Sequence, residues 1–264
     1  MDITLLGSGD AIGVPVPLCR CEYCRSAPHR RRPALLVEAS DTTLLLDAGS
    51  DVAEQLRQVG TSDLDAVALT HAHHDHSDGL HAIAQAGKWP PEHLESTEEF
   101  EPADDPVAPV YLTATAHDHL RETRRYLLPM LRTEQIAPRR GFTIGELQVT
   151  PFAVDHARPA FEMVGFVVES SDVRVVYAPD VREFIDDQTP ADPDLLVVDG
   201  AALLGTPLHG PADVLRKTVE TVDADRTVLV NVSEHKARQH TAALDRLAAN
   251  DGCELGDDLT QYPV

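Results

Sequence analysis

Several features that classify many proteins at once are scarce in this sequence. No apolar run approaches the roughly 20 residues that a membrane-spanning helix needs, which argues against a membrane protein. The first residues, Met1 to Thr4, lead directly into a strand-like run and carry no basic region followed by a hydrophobic segment. A secretory signal is therefore not expected. We expect a cytoplasmic protein that does not contact a membrane.

Cysteine is also scarce, and its distribution excludes a disulfide framework. The chain has four cysteines, of which Cys19, Cys21 and Cys24 lie close together and Cys253 lies far away. Such clustering in a cytoplasmic protein favours metal binding over disulfide formation.

Lysine is the third scarce residue. Only Lys88, Lys217 and Lys236 occur among 22 basic residues, which leaves 19 arginines, and the net charge is −22. A dense carboxylate surface suits proteins kept soluble in concentrated salt, so we interpret the composition as halophilic. An arginine-rich, acidic bacterial protein is the alternative. The charge excludes no anionic substrate, because the Debye length is only about 3 Å in molar salt.

The length and the element pattern predict a single large domain. At 264 residues the chain can bury one substantial core, and we assign residues 1–264 to one domain. A cysteine-rich loop occupies residues 13–33. Residues 88–109 contain seven acidic residues and five prolines, which is typical of a solvated insertion. A surface loop is the simpler interpretation of this insertion, and a lid over a site is the alternative.

Short apolar runs predict strands, and amphipathic runs predict helices. A hairpin is predicted from Ala34–Ala39 and Thr42–Leu46, with further strands at 3–6, 66–70, 110–113, 147–154, 163–169, 173–177, 195–198 and 228–232. Helices are predicted at 51–59, 79–86, 116–128, 212–222 and 238–249. This order fits the α/β class, with two mixed β-sheets packed face to face and helices on the outer faces.

The strongest chemical signal is the segment Thr70–Leu80, which reads THAHHDHSDGL. An apolar strand is predicted to lead into a turn with His-x-His-x-Asp-His spacing. Imidazole and carboxylate ligands together suit zinc, manganese or iron. Alternate residues of an extended segment point the same way. His71 and His73 can therefore bind one ion, and Asp75 and His76, beyond the bend, can bind a second.

This segment resembles the signature of the metallo-β-lactamase superfamily, whose fold is an αββα sandwich. The resemblance implies further ligands at later strand ends and extends from Ile3 to about residue 232. His156 matches the third histidine of the first metal, and Asp180 matches the carboxylate that bridges both metals. Asp47, in the segment LLLDAG, matches an aspartate that would orient a ligand histidine without binding metal itself.

One ligand implied by the resemblance is missing. A histidine is expected at the end of the strand at 228–232, where the sequence has Asn231. Asparagine is a poor zinc ligand, although its carbonyl oxygen can bind a harder ion such as manganese. His235, four residues later, is the alternative. The sequence leaves the second metal site open between these two residues.

The cysteine cluster predicts a structural zinc site. Three thiolates at Cys-x-Cys-x₂-Cys spacing need a fourth ligand to complete a tetrahedral site. The loop is similar to one in the phosphoribosyl cyclic-phosphate phosphodiesterases of the carbon–phosphorus lyase pathway. In that subfamily a histidine just beyond the last metal-ligand strand completes the site, which implies His235 here. His29 is the competing ligand, and three free thiols are the remaining alternative.

The same subfamily has a catalytic histidine after its penultimate strand, which implies His209 as the group that protonates the leaving oxygen. An ordinary loop histidine is the alternative. Arg158 is a candidate phosphate-binding residue, because a guanidinium binds phosphate oxygens in a fork. The basic run at residues 29–32 is interpreted as a solvated approach to a strand. Gly7–Gly13 has the wrong glycine spacing for a nucleotide loop, and we expect it at the rim of the metal site.

These features predict a phosphodiesterase with two active-site divalent ions, zinc or manganese, and one structural zinc. Asp75, Asp180 and His209 would be its catalytic residues. The ions would supply the attacking hydroxide. The resemblance implies a small phosphorylated substrate, such as 5-phosphoribosyl 1,2-cyclic phosphate.

Two other functions are weighed against this prediction. A tRNA 3′-processing nuclease shares the histidine motif but needs a basic arm to bind RNA phosphates, whereas the insertion at 88–109 is acidic. A small-molecule-binding protein, similar to relatives in pyrroloquinoline quinone biosynthesis, stays open because of Asn231. We therefore expect no nucleic-acid partner, and we leave monomer and homodimer open.

Overall fold

The structure is a computed structural model that describes residues 1–86, 107–156, 162–185, 190–205 and 210–264. Two of the predicted site residues, Arg158 and His209, and most of the acidic insertion at 88–109 lie outside these described residues.

Strands outnumber helices among the described residues. In chain order they are β1 (Asp2–Gly7), β2 (Ala34–Ala39), β3 (Thr42–Leu46), β4 (Ala66–Ala68), β5 (Pro109–Thr113), β6 (Arg132–Ile136), β7 (Phe142–Ile144), β8 (Leu147–Asp155), β9 (Met163–Ser170), β10 (Val173–Ala178), β11 (Glu183–Phe184), β12 (Leu195–Asp199), β13 (Arg226–Val230), β14 (Glu254–Leu255) and β15 (Thr260–Tyr262). The helices are α1 (Glu22–Ser26), α2 (Val52–Val59), α3 (His74–Ser77), α4 (Leu80–Ala86), α5 (Ala114–Thr123), α6 (Ala212–Val222), α7 (Glu234–Ala237) and α8 (Thr241–Asn250). None of the helices in the described ranges is long and apolar enough to cross a membrane.

The strands form two mixed sheets. The first has the order β15–β1–β2–β3–β4–β5–β6, with antiparallel pairing as far as β3 and parallel pairing beyond it. The second has the order β11–β8–β9–β10–β12–β13–β14, antiparallel as far as β10 and parallel beyond it, and β7 pairs with β8. Each half of the chain thus builds one sheet, except that β15 returns to pair with β1.

The core has three layers because the side chains of a strand alternate between its two faces. In β2, Leu35 and Val37 lie between the sheets, whereas Leu36 packs with α2, α4 and α5 on the outer face of the first sheet. The same alternation along β12 divides its residues between the intersheet core and a cluster with α6 and α8. The predicted αββα sandwich is confirmed.

The last predicted helix is wrong in one respect that affects the site. The helix predicted at 238–249 begins three residues too early: the chain forms α8 at Thr241–Asn250, and the sequence pattern did not predict the short helix α7 before it. Arg238 lies between them with a φ of 55°. Its N–H caps α7 by donating to the carbonyl groups of Glu234 and His235. A left-handed residue ends a helix in this way.

The basic run at 29–32 is not the solvated segment that the sequence pattern predicts. The Arg30 side chain is 4% exposed, and its Nε lies 2.9 Å from Oε1 of the buried Glu234. Its Nη1 also donates to Ser8 Oγ at 2.7 Å and to the Gly256 carbonyl at 2.6 Å. Arg31 pairs with Asp258. These contacts connect the end of the cysteine-rich loop to residues near both ends of the chain.

Candidate metal centre

Both sheets contribute to one cavity at the edge where several of their strands end. The cavity has a volume of about 350 Å³, and the loop after β1 forms part of its rim through Asp10 and Ala11, as expected for the segment Gly7–Gly13. The side chains that were predicted to bind or orient metal follow the ends of five strands. Asp47 follows β3; His71, His73, Asp75 and His76 follow β4; His156 follows β8; Asp180 follows β10; and Asn231 follows β13.

Two groups of side chains could each hold a metal ion, and they share Asp180. The first consists of His71, His73, His156 and Asp180, and the second of Asp75, His76 and Asp180. Within each group the ligand atoms all lie within 4.8 Å of one another. Oδ2 of Asp180 lies 3.7 Å, 3.3 Å and 3.3 Å from the Nε2 atoms of His71, His76 and His156. The predicted division of the ligands into two groups is therefore present in the structure.

Two glycines allow the ligand helix α3 to lie against the loop after β3. A Cβ atom on Gly49 would come within 2.1 Å of the Asp75 carbonyl oxygen, and one on Gly79 within 2.2 Å of the Gly49 carbonyl oxygen. With glycine at these positions, the Ala48 N–H donates to the His76 carbonyl at 2.8 Å. This backbone contact sets α3 beside Asp47.

Asp47 is a fully buried carboxylate that organises the ligands. Its Oδ1 accepts hydrogen bonds from the Thr70 N–H at 2.8 Å and the Thr70 hydroxyl at 3.0 Å. Its Oδ2 lies 2.8 Å from His76 Nδ1 and accepts from the Tyr177 hydroxyl at 3.2 Å. Because an ionised carboxylate has no hydrogen, His76 must donate from Nδ1, and its Nε2 is directed at the metal-ligand carboxylates.

The same reasoning fixes the proton on His71. The single hydrogen of the Thr70 hydroxyl goes to Asp47, so this hydroxyl accepts from His71 Nδ1 at 3.0 Å. The Nε2 atom of His71, which faces His73 and Asp180, then carries the lone pair that a metal ligand needs. Asp47 thus sets the tautomer of one histidine directly and of another through Thr70.

Burial and charge shift the pKa values of these groups in different directions. Burial lowers the pKa of His71 well below its ordinary value, and burial also lowers that of His73. Burial would likewise lower the pKa of His76, but Asp47 and Asp180 outweigh it and raise that pKa well above the ordinary value. Burial would raise the pKa of Asp180, but His76, His156 and His71 hold it well below its usual range.

The ligand atoms fit a divalent cation. Nε2 of His76 is buried and makes no hydrogen bond of good geometry, although oxygens of Asp75 and Asp180 lie 3.4 Å and 3.3 Å away. An unsatisfied buried polar atom is costly. Two carboxylates this close to several imidazoles form the oxygen and nitrogen set that zinc, manganese and iron accept.

A second cluster joins the cysteine-rich loop to α7. Nδ1 of His235 lies 3.8 Å, 4.0 Å and 3.6 Å from the sulfur atoms of Cys19, Cys21 and Cys24, and these four residues could hold a metal ion. The Cys24 backbone N–H, followed by Cys19, lowers the pKa of the Cys21 thiol to about 6, which favours the thiolate that binds metal. His29 is exposed and is not part of this group.

Residues 42–231 match the family model described as the beta-lactamase superfamily domain. The chain belongs to the metallo-β-lactamase superfamily.

Two curated proteins and two solved structures illustrate its relatives. The chain is 25% identical over 250 residues to an octanoyltransferase of Porphyromonas gingivalis, a match that covers 89% of this chain and 46% of that protein. It is 40% identical over 83 residues to a ribonuclease Z of Aeropyrum pernix, covering 30% of this chain and 23% of that protein. The chain therefore spans less than half the length of either relative.

The solved structures cover the whole chain. A diphosphatase from the PhnP family aligns with a TM-score of 0.77 and 21% identity, covering 100% of this chain and 97% of that one. Zinc-bound PqqB from Methylobacterium extorquens aligns with a TM-score of 0.78 and 18% identity, covering 100% of both chains. At these identities the likeness shows the metallo-β-lactamase fold.

Within this metallo-β-lactamase fold, Asn231 acts as a hydrogen-bond donor. Its Nδ2 donates to Asp180 Oδ1 at 2.6 Å and lies 3.4 Å from Oδ2 of Asp199, which ends β12. Asn231 has a φ of 63°, a left-handed conformation that asparagine tolerates better than most residues. The structure brings Asn231 to the site and His235 to the cysteines, so the two alternatives for the second metal occupy different places.

Sequence reasoning missed two residues of this metallo-β-lactamase site. Tyr177 lies in the apolar strand β10, where the sequence pattern predicts a core side chain, but its hydroxyl contacts Asp47. Lys236 lies within the cavity lining, with its Nζ 2.7 Å from Asp10 Oδ2. The scarcity of lysine was the one signal that could have directed attention to Lys236.

Proposed function

We propose that this protein is a metal-dependent hydrolase that cleaves a small phosphodiester, with a cyclic phosphodiester of a phosphorylated sugar as the favoured substrate class. The observation that carries the proposal is the pair of ligand groups that share Asp180. Such a pair suits two divalent ions, for which we propose zinc or manganese, while Cys19, Cys21, Cys24 and His235 would hold a structural zinc.

The chain's own residues support this chemistry. When bound, divalent ions would supply a nucleophilic hydroxide near neutral pH and would neutralise charge on phosphoryl oxygens. His71, His73 and His156 would hold one ion, Asp75 and His76 the other, and Asp180 would contact both. Asn231 keeps Asp180 oriented through its N–H and is not needed as a ligand for that role.

The substrate class follows from the cavity and from the resemblance in the histidine and cysteine motifs. A volume of about 350 Å³ lies at the low end of the range for ligand pockets, roughly 300–1,000 Å³, and suits a small molecule. By the same resemblance, His209 would protonate the leaving oxygen. Arg158 would bind phosphate, because a guanidinium binds phosphate oxygens in a fork.

Two alternative functions predict different outcomes in a hydrolysis assay. A ribonuclease would need cationic surface for RNA phosphates, and the chain has a net charge of −22. A protein that binds a small molecule without hydrolysing it would keep the fold and the metals but show no turnover. The first alternative is tested with a tRNA precursor and the second with any phosphodiester.

The experiment loads purified protein with zinc or manganese and measures hydrolysis of bis(p-nitrophenyl) phosphate, 5-phosphoribosyl 1,2-cyclic phosphate and a tRNA precursor. We expect turnover of the two small diesters and its loss in Asp180→Ala. The matched control is Asp172→Ala, which removes an exposed carboxylate from the turn between β9 and β10. Turnover of the tRNA alone, or no turnover with either metal, would overturn the proposal.

His209→Ala separates the proposed proton donor from the rest of the site. Turnover of the cyclic sugar phosphate should fall by about 10²–10⁴, the usual contribution of a general acid. The nitrophenyl ester should be affected much less, because nitrophenolate leaves without a proton. Equal losses with both substrates, or none, would remove His209 from the mechanism.

A further inference from the structure

The cavity contains one cationic side chain that the proposed hydrolysis does not use. Lys236 lines it together with His73, His156 and Asn231, and among the described lining residues it is the only lysine or arginine. The chain as a whole has three lysines. The Lys236 side chain is 25% exposed, so its ammonium group is partly shielded from bulk water, where attraction to an anion is stronger.

Asp10 holds this ammonium group in a defined place. The Lys236 Nζ lies 2.7 Å from Oδ2 of Asp10, whose side chain is 4% exposed. The other carboxylate oxygen of Asp10 accepts from the N–H groups of Ile12 and Gly13 at 3.0 Å and 2.9 Å. The carboxylate is therefore fixed to the rim loop. An ammonium group has three N–H donors, so it can still donate to another acceptor after one N–H has bound the Asp10 oxygen.

The helix that carries Lys236 is itself fixed from outside the cavity. Glu234 in α7 accepts from Arg30 at 2.9 Å and from the Thr241 hydroxyl at 3.0 Å. His235, next to Lys236, lies against the three cysteines. One short helix thus extends one side chain to the cysteine cluster and the next to the active-site cavity.

We infer that Lys236 binds a non-reacting anionic group of the substrate, such as a phosphate monoester, while the reacting phosphoryl group would lie at the metal centre. This inference rests on the proposed function and adds to it the residue that recognises the second negative group of the substrate. A lysine is a point charge that binds phosphate in this way. The rival interpretation is that Lys236 and Asp10 form an ion pair that only stabilises the fold.

The test compares two cyclic phosphodiesters that differ only in the second anionic group: ribose 1,2-cyclic phosphate with and without a 5-phosphate. In the native protein we expect the 5-phosphate to raise kcat/KM. Lys236→Met should lower kcat/KM for the 5-phosphorylated ester by about 10- to 100-fold, mainly through KM, which is the usual worth of a hydrogen bond to a charged group. The same substitution should have little effect on kcat/KM for the ester without the 5-phosphate.

Matched variants separate binding from stability. Lys236→Arg keeps the charge and should keep most of the preference for the 5-phosphate. Asp10→Asn removes the ion pair but keeps the lysine, and should leave a reduced preference for the 5-phosphate, because the ammonium group is still present but less firmly positioned. Lys217→Met removes an exposed lysine from α6 and should behave as the native protein. Equal losses for both esters in Lys236→Met and Asp10→Asn would overturn the inference in favour of a structural ion pair.

A binding measurement keeps the inference testable if neither ester is hydrolysed. Ribose 5-phosphate is titrated into metal-loaded native protein and Lys236→Met by calorimetry. We expect weaker binding to Lys236→Met by the same factor. If neither ester is hydrolysed but ribose 5-phosphate still binds more weakly to Lys236→Met, only the proposed hydrolysis would be contradicted. Equal binding to both proteins would overturn the role of Lys236.

Discussion

Replacing Asp47 by asparagine should disable one metal site and spare the other. In the native protein, Oδ2 of Asp47 lies 2.8 Å from His76 Nδ1, so the imidazole proton is on that nitrogen. An amide nitrogen at the same place donates rather than accepts. His76 must then shift its proton to Nε2, the atom that faces Asp75 and Asp180, or lose its hydrogen bond.

The magnitude follows from what the substitution preserves. The amide oxygen of the introduced asparagine can still accept from both Thr70 donors, so the tautomer of His71 is kept. Asparagine also tolerates the φ of 62° at this position. We expect the ion bound by the Asp75 and His76 group to be weakened by at least about 10- to 100-fold, the usual effect of removing a partner that orients a ligand. The free energy of unfolding should fall by about 1–3 kcal/mol, because charge-assisted hydrogen bonds are replaced by neutral ones.

The assay is a titration of metal-free protein with manganese or zinc, together with metal analysis and thermal unfolding. Asp47→Asn should show one ion bound as in the native protein and one bound weakly. Asp41→Asn, which alters an exposed carboxylate in the β2–β3 turn, is the control. Two ions bound with native affinity would refute the argument that Asp47 sets the tautomer of His76. Equal loss of both ions in a folded variant would refute it as well.

Other predictions follow from the same geometry. Cys21→Ser should remove about one zinc per chain and lower the melting temperature, while the cavity metals stay in the folded fraction; zinc loss without a stability change would exclude a structural role. Asn231→His should tighten the more weakly bound ion in calorimetric titrations, and two equal, tight sites in the native protein would contradict this expectation. The pKa of His76 is raised well above its ordinary value without metal, so an ion that binds to His76 must displace a proton. The affinity for the ion at Asp75 and His76 should therefore rise with pH until His76 is neutral. The pKa values of His71 and His73 are lowered, so the ion that they bind should stay bound at lower pH than the other ion. Metal titrations over a pH series that give both ions the same pH dependence would contradict this assignment.

The sequence by itself determined the features that depend on neighbouring residues. The apolar runs of β2 and β3, joined at Ser40 and Asp41, predict the hairpin with its observed bounds, and the apolar run before His71 predicts the strand that leads into the ligands. The His-x-His-x-Asp-His spacing divides its ligands between two groups because a strand and a turn dictate where these side chains point. The αββα fold follows from the order of such elements.

Short edge strands escaped this reasoning for a physical reason. β6 has one buried residue, Ile136, and β14 and β15 are two and three residues long. An edge strand is held by backbone pairing with its neighbour rather than by burial of its own side chains. Its sequence therefore carries little alternation to detect.

Only the tertiary structure decided which distant residues share a polar partner. It placed the Tyr177 hydroxyl on Asp47, the Asn231 N–H on Asp180 and the His235 ring on the cysteines. It also buried Arg30, which a basic run in a loop does not predict. Such pairings arise because a buried donor or acceptor must find a partner from whatever strand end or loop packs beside it. That neighbour is set by the packing of two sheets and not by the local chain.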